Sequence, residues 1–281
     1  MSDDQETESV KTVAVKYRST VMIPNEEGGV RTAHLFDRVE KIMKILAIDS
    51  SGLVATVALL EDNNLIAEYT IHHKKTHSQT LMPMLDEIKQ MVELDLSTVD
   101  AIAVASGPGS FTGLRIGAAT AKGLAMGLGK PIIEVPTLEG MAYQMYGSAA
   151  IICPIMDARR NQVYTGLYQF AEKDTGYQME TLKEGCACDI MECIEAVNSF
   201  EQPVVFLGDG VPVFEELIRE HARVPVCFAP AHRRLQSAAS VGALAMEFAG
   251  KGRFVEAKDH APEYFRMSQA ERERMEAKQA L

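Results

Sequence analysis

The sequence has no tryptophan and is short of basic residues. Of its 281 residues, 28 are Lys or Arg and 39 are Asp or Glu, which gives a formal net charge of −11. A protein that binds nucleic acid by itself uses Lys and Arg to neutralise backbone phosphates, so this balance excludes a free-standing nucleic-acid binder. Any contact with RNA would need a basic partner.

Long hydrophobic runs and a basic N-terminal segment are also missing. A membrane-spanning helix needs about 18 or more consecutive apolar residues, and a signal peptide begins with positive charge. The mean hydropathy is −0.05, and the first residues are acidic. We therefore expect a cytoplasmic protein without membrane contact. Hydrophobic residues still make up 47% of the chain, enough for a core in one large or two smaller domains.

The five cysteines do not follow a zinc-binding pattern. Three of them form the spacing C-x-C-x4-C, which lacks the paired C-x2-C motifs and the histidine partners of structural zinc sites. We expect reduced thiols, partly in a core, as in cytosolic proteins. The cysteines are Cys153, Cys186, Cys188, Cys193 and Cys227.

The chain changes character at Met43. Residues 1–42 begin with a polar, acidic stretch, whereas M-K-I-L-A-I-D-S-S-G from Met43 opens with a buried-strand pattern. Two explanations stay open: residues 1–42 are an extension with a short strand at Val10–Tyr17, or the translation start is assigned too early. In either case we expect no function for them. Residues 268–281 form a charged tail.

The order of predicted elements repeats. Strand-like runs at Lys44–Asp49, Val54–Glu61 and Leu65–Ile71 precede an amphipathic helix, and alternating strands and helices complete the order βββαβαβα. A similar series starts at Ile151 and includes a weaker strand around Gln178–Lys183 and a strand at Val204–Leu207. We therefore predict an α/β protein with two tandem actin/RNase H-like (ASKHA) domains, residues 43–150 and 151–267. Each would be a mixed βββαβ-type sheet flanked by helices, facing the other across a cleft; an ordinary two-lobed α/β protein is the alternative.

A glycine-rich segment, S-G-P-G-S-F-T-G-L-R-I-G, lies between a predicted strand and a predicted helix at residues 106–117. Glycines let backbone N–H groups approach an anion, and a helix N-terminus favours negative charge. The Walker sequence G-x4-G-K-S/T is absent. Asp49, Ser50, Gly107 and Gly109 are the candidate phosphate-contacting residues. A tight turn without a ligand is the competing interpretation.

Small residues recur every four positions along the helix that follows. A ridge of this kind lets another structural element approach closely. It could lie on its own sheet, or it could contact a helix of another molecule. The residues of the ridge are Gly113, Gly117, Ala121, Ala125 and Gly129.

Together these motifs resemble the bacterial TsaB (YeaZ) family. Besides residues 106–117, the matching segments are M-K-I-L-A-I-D-S-S at Met43, H-S-Q-T-L-M-P at His77, D-A-R-R-N-Q-V-Y at Asp157 and A-P-E-Y-F-R at Ala261. They occur in the order that the family shows. The resemblance covers residues 43–267.

The resemblance implies a scaffold or activator in the synthesis of tRNA N6-threonylcarbamoyladenosine, at the adenosine beside the anticodon. The chain would pair with the catalytic transferase TsaD through helices 77–94 and 113–128, and the ATPase TsaE would dock on that heterodimer. ATP, metal and tRNA would be bound by the partners, and a homodimer is an alternative when the chain is alone. The implied interface residues are Leu81, Leu85, Gly113, Leu114, Gly117, Ala121 and Ala125.

The resemblance also implies that the chain is not itself an enzyme. The transferases carry N-H-x-E-G-H, whose histidines bind a metal, whereas the corresponding segment here is P-T-L-E-G-M at residues 136–141. We therefore expect no catalytic residue and no metal ligand. His73 and His77 have H-x3-H spacing, but the two lysines between them repel a cation.

An actin-like ATPase or sugar kinase is the alternative function. It would use phosphate loops at Asp49 and Gly107–Gly113, with Asp157 and Asp209 as candidate carboxylates. For the segment Asp157–Arg160 we expect a second role, which is to organise the cleft through Arg–carboxylate pairs.

Overall fold

The computed structural model describes residues 20–24, 30–34, 42–73, 76–174 and 176–266. The predicted strand at Val10–Tyr17 and the charged tail lie outside these ranges. The chain forms two compact units, Met1–Ile42 and Met43–Leu281. In the first unit, strands β1 (Thr20–Pro24) and β2 (Val30–His34) pair antiparallel.

The second unit begins with a five-stranded sheet in the order β5-β4-β3-β6-β7. β3 pairs antiparallel with β4 and parallel with β6, so the sheet is mixed. Every residue of β6 is buried because helices cover both faces of the sheet. The elements are β3 (Lys44–Asp49), β4 (Ala55–Glu61), β5 (Asn64–Ile71), α1 (His77–Met91), β6 (Ala101–Gly107), α2 (Phe111–Leu128), β7 (Ile132–Pro136) and α3 (Thr137–Tyr143).

A second five-stranded sheet has the order β10-β9-β8-β11-β12, which repeats the plan of the first. This repetition confirms the predicted α/β class with two actin-like halves. The elements are β8 (Ile151–Asp157), β9 (Gln162–Lys173), β10 (Gly176–Asp189), α4 (Ile190–Asn198), β11 (Val204–Leu207), α5 (Val211–His221), β12 (Val226–Phe228), α6 (Ala231–Arg234) and α7 (Ala238–Gly250).

Two strands of the second sheet differ from the sequence expectation. The weak strand predicted at residues 178–183 extends over all of β10, and β12 was not predicted at all. Backbone pairing with β9 holds β10, whose side chains are mostly half-buried or exposed, so its hydrophobic pattern is weak. β12 has only three residues, too few for a periodic pattern.

The last helix returns to the first sheet. Val241, Leu244 and Phe248 of α7 pack in one hydrophobic cluster with Ile45 of β3 and Leu60 of β4. Conversely, α3 contributes to the core under the second sheet. Elements from each half of the chain therefore cover the other half, and the predicted boundary at residue 150 stays a prediction.

A carboxylate of the first sheet caps α7. Glu68 of β5 accepts hydrogen bonds from the Ser237 hydroxyl (2.8 Å) and from the Ala239 N–H (3.1 Å). A negative charge at a helix N-terminus is favourable because it satisfies free N–H groups and complements the helix dipole. Among the described residues, none of the helices is both long and apolar enough to cross a membrane.

We predict that Leu244→Ala lowers the free energy of unfolding by about 2–5 kcal/mol, because the truncation leaves a cavity between α7 and the first sheet. Leu244 is 2% exposed, whereas Leu65 is 52% exposed. Leu65→Ala is therefore the matched control, with a change within about 0.5 kcal/mol. Urea unfolding measures both. Equal losses for the two variants would contradict the packing of α7 described above.

Candidate functional site

A cleft of ≈ 390 Å³ lies where the carboxyl ends of β3 and β6 face those of β8 and β11. In open α/β sheets, ligands bind at this end of the strands. The first half contributes Ser51, Gly109 and Ser110, and the second half contributes Asp157 and Asp209. A nucleotide or metal, if this protein binds one in the actin-like manner, would bind in this cleft.

The two candidate phosphate segments contact each other across the first half of the cleft. The Ser110 N–H donates to the Ser51 carbonyl (2.7 Å), and the Ser50 hydroxyl donates to the Gly113 carbonyl (2.9 Å). A Cβ atom on Gly109 or Gly113 would collide with the carbonyl oxygen of Ser51 or Ser50. Close packing of the two loops thus accounts for these glycines, and an N–H group at the start of α2 is already used.

Asp49 is buried beneath this contact. Its carboxylate accepts a hydrogen bond from the Ser51 N–H (2.7 Å). Burial raises the pKa of Asp49 from 3.8 to about 6, because the charged form loses its hydration, while the hydrogen bonds from Ser51 act in the opposite direction. His77 lies close by and donates from Nε2 to the Gly52 carbonyl (2.9 Å). This histidine therefore positions the loop that follows β3.

A C-terminal segment bridges the two sides of the cleft. Residues 262–266, which we call the strap, connect the two halves: the Glu263 N–H donates to the Ser106 carbonyl (2.7 Å), and Arg266 Nη1 donates to the Ala158 carbonyl (2.6 Å). Between these contacts the ring of Tyr264 packs on that of Phe111, with centroids 4.6 Å apart. Tyr264, Phe265 and Arg266 line the cavity.

The strap explains why residue 107 is a glycine. Its contacts were not predicted from the sequence. Gly107 has φ +131°, and a Cβ atom there would collide with the carbonyl oxygen of Glu263. In the sequence, A-P-E-Y-F-R is recognisable only as a family signature. The aromatic and basic residues of that motif were the one sign in the sequence that this segment makes specific contacts.

The carboxylates of the second half interact locally. Asp209 accepts a hydrogen bond from the Asp157 N–H (3.1 Å), and burial raises the pKa of Asp209. Arg159 Nη1 lies 2.9 Å from the Asp157 carboxylate, which confirms an Arg–carboxylate pair at this edge of the cleft. Arg159 is 85% exposed, however, and the contact that connects the halves comes from Arg266.

Four of the five ridge residues pack on the sheet of their own half, whereas the fifth, Gly129, is the exposed C-cap of α2 and does not. Gly117 faces the Ser50 hydroxyl, and Ala121 and Ala125 lie in the core of the first sheet. This is the first of the two alternatives that the sequence left open, and it makes these side chains unavailable to a partner. All seven residues that the resemblance placed at an interface are buried: Leu81, Leu85, Gly113, Leu114, Gly117, Ala121 and Ala125.

The opposite side of α2 is exposed. We call it the outer face of α2, and it consists of Thr112, Arg115, Ala119, Gly123, Met126 and Gly127. A Cβ atom on Gly123 or Gly127 would meet nothing within 4 Å, and Met126 is 67% exposed. α2 thus carries two series of small residues, one in the core and one outside. Periodicity alone could not distinguish them because both repeat every four positions.

Across the part of the chain that the structure describes, no three His, Cys, Asp or Glu side chains are arranged to hold a metal ion. Thr137 and Met141, which the resemblance places opposite the histidines of the transferases, are buried in the core.

We predict that Asp49→Asn changes the pH dependence of stability. The folded-state pKa lies above the unfolded value, so ionisation of Asp49 disfavours folding. The free energy of unfolding of the wild type should fall, relative to the variant, as pH rises from 3.8 to about 6, and then stay constant. At pH 7 the variant should be more stable by up to about 3 kcal/mol. Urea unfolding of both proteins between pH 4 and 8 tests this, and a constant difference would contradict it.

The family model for TsaD, tRNA N6-adenosine threonylcarbamoyltransferase, matches residues 64–274. Among curated proteins, the chain is 37% identical over 178 residues to the Bacillus subtilis tRNA threonylcarbamoyladenosine biosynthesis protein TsaB, covering 63% of this chain and 76% of that relative. The Escherichia coli protein of the same name is 37% identical over 142 residues, covering 50% of this chain and 61% of that relative.

Two solved structures from Pseudomonas aeruginosa are similar along their whole length. One, an uncharacterized protein with similarity to peptidase YEAZ, has a TM-score of 0.66 at 27% identity and covers 80% of this chain and 100% of that chain. The other, YeaZ, has a TM-score of 0.64 at 26% identity, covering 79% and 100%. These comparisons confirm the resemblance: the chain belongs to the TsaB (YeaZ) family, within the larger family described by the TsaD model.

Proposed function

We propose that this chain supports the synthesis of tRNA N6-threonylcarbamoyladenosine as a non-catalytic subunit that binds a TsaD-type transferase. The observation that carries the proposal is the 37% identity, over 178 residues, to a protein named for this biosynthesis. The transferase would move the threonylcarbamoyl group to the adenosine beside the anticodon. The net charge of −11 supports the assignment of tRNA binding to that partner.

The cleft supports a role without chemistry of its own. The Ser110 N–H at the start of α2 donates to Ser51, and the strap bonds to both sides of the cleft. A nucleotide phosphate placed at this loop would compete with both contacts. This competition counts against the ATPase or sugar-kinase alternative.

We place the contact with the transferase on the outer face of α2 together with exposed side chains of α1. Ala119, Gly123 and Gly127 allow another helix to approach the backbone closely. Met82 of α1 is 52% exposed, and methionine adapts its shape to an apolar partner. The TsaE-type ATPase would dock on the heterodimer, and a homodimer would use the same surface when the transferase is absent.

Gly123→Arg should abolish co-purification with the transferase and weaken its binding at least tenfold, because the long side chain would separate the two helices. The fold should persist, since a Cβ atom at Gly123 meets nothing and arginine has a higher helix propensity than glycine. Gly250→Arg is the matched control. Gly250 is the last residue of α7, and a Cβ atom there would also meet nothing within 4 Å. Pull-down and calorimetry with the transferase measure binding.

If Gly123→Arg binds the transferase as tightly as the wild type does, the outer face of α2 is not part of the interface. A bulky residue at Gly117 would not test it, because its Cβ atom would lie 2.7 Å from the Ser50 hydroxyl oxygen and would disturb the fold of the chain itself.

Reconstitution tests the function. Transferase, TsaE-type ATPase, threonylcarbamoyl-adenylate and unmodified tRNA should yield threonylcarbamoyladenosine when this chain is added, and at least tenfold less without it. Nucleoside mass spectrometry of digested tRNA measures the product. The proposal is wrong if the transferase works equally well alone, or if this chain modifies tRNA without the transferase.

A further inference from the structure

Four of the five cysteines lie together in the second half of the protein. Cys153 of β8 and Cys193 of α4 are fully buried, and their sulfur atoms are 3.7 Å apart. The hydroxyl oxygen of Thr165 lies 3.4 Å from Cys153 Sγ and 3.6 Å from Cys193 Sγ. The two thiols, 40 residues apart in sequence, would have to approach by about 1.7 Å to reach the S–S bond length of about 2 Å.

The two thiols have different acidities. The pKa of Cys193 is lowered, chiefly because Cys153 donates a hydrogen bond to its sulfur, whereas burial raises the pKa of Cys153. The thiolate is the nucleophile in cysteine chemistry. The thiolate therefore forms more readily on Cys193, and the Cys153 thiol lies directly beside it.

The cluster extends from the buried pair towards the surface. Cys188 interacts with both Cys193 and Cys186. Cys186 and Cys188 point to the same face of β10 because they are two residues apart on a strand. Cys186 is partly exposed, so the thiols form a continuous series from the protein surface to the core.

We propose that Cys153 and Cys193 form an intramolecular disulfide when the protein meets a hydroperoxide. Because Cys193 is buried, the peroxide reaches it when the fold opens locally. The Cys193 thiolate then attacks one peroxide oxygen, the O–O bond breaks, and hydroxide or alkoxide leaves, so that Cys193 becomes a sulfenic acid. The Cys153 sulfur then attacks the Cys193 sulfur. The S–S bond forms, the S–O bond breaks, and hydroxide leaves as water with the Cys153 proton. The two thiols lose two electrons, which reduce the peroxide, and a dithiol reverses the reaction.

This bond would connect β8 to α4. β8 ends at Asp157, which lines the cleft. Oxidation would therefore constrain the strand that carries one edge of the cleft. The inference rests on the thiol cluster alone and is independent of the function proposed above.

The test oxidises the full-length protein with hydrogen peroxide, alkylates the remaining thiols in denaturant and maps the peptides without reduction. The free thiols should fall from five to three (5 − 2 = 3), with one disulfide joining the peptides of Cys153 and Cys193. Dithiothreitol should restore all five. Cys227→Ser is the control, because Cys227 is exposed and outside the cluster, and it should keep the disulfide.

Cys153→Ser should lose the disulfide and leave a sulfenic acid on Cys193, which a dimedone probe traps. The proposal is overturned by a disulfide between Cys186 and Cys188 alone, by a dimer bonded through Cys227, or by five free thiols after peroxide. The peptide map of the wild type decides between these outcomes even where the variant does not fold.

Discussion

The packing of the loop after β3 against the N-terminus of α2 determines the arrangement of the first half. The Ser110 N–H donates to Ser51, and the glycines at 109, 113 and 117 bring the helix close to residues 50 and 51. Because this contact sets the rotation of α2, the series Gly113, Gly117, Ala121 and Ala125 faces the core. The second series, at 119, 123 and 127, consequently faces outward.

The same contact shapes the cleft, and elements from the end of the chain complete it. α7 covers the first sheet, and Glu68 of that sheet caps its N-terminus. The strap joins Ser106 in one half to Ala158 in the other. The two halves are thus connected by packing and hydrogen bonds as well as by the chain. A buried Asp49, whose pKa is raised to about 6, lies beneath this arrangement.

Much of the fold was predictable, because buried strands and amphipathic helices follow from local hydrophobic patterns. β3 and β11 have the predicted bounds. The features that the sequence did not predict depend on contacts between residues far apart in the chain. The hydrophobic pattern of residues 237–250 does not indicate which sheet α7 covers. On α2, two interleaved series of small residues leave open which side of the helix faces the core. The carboxylates Asp49, Asp157 and Asp209 could be placed at strand ends from the sequence, whereas the strap depends on contacts more than 100 residues apart in sequence.

The central claim is that the protein acts through the outer face of α2 and not through its cleft. Hydrogen–deuterium exchange of the full chain, with and without the TsaD-type transferase, tests this claim directly. We expect the transferase to slow exchange in peptides covering residues 115–128 and the exposed side of α1, and to leave residues 49–52 and 157–159 unchanged. Slower exchange confined to the cleft segments, with α2 unaffected, would contradict the account.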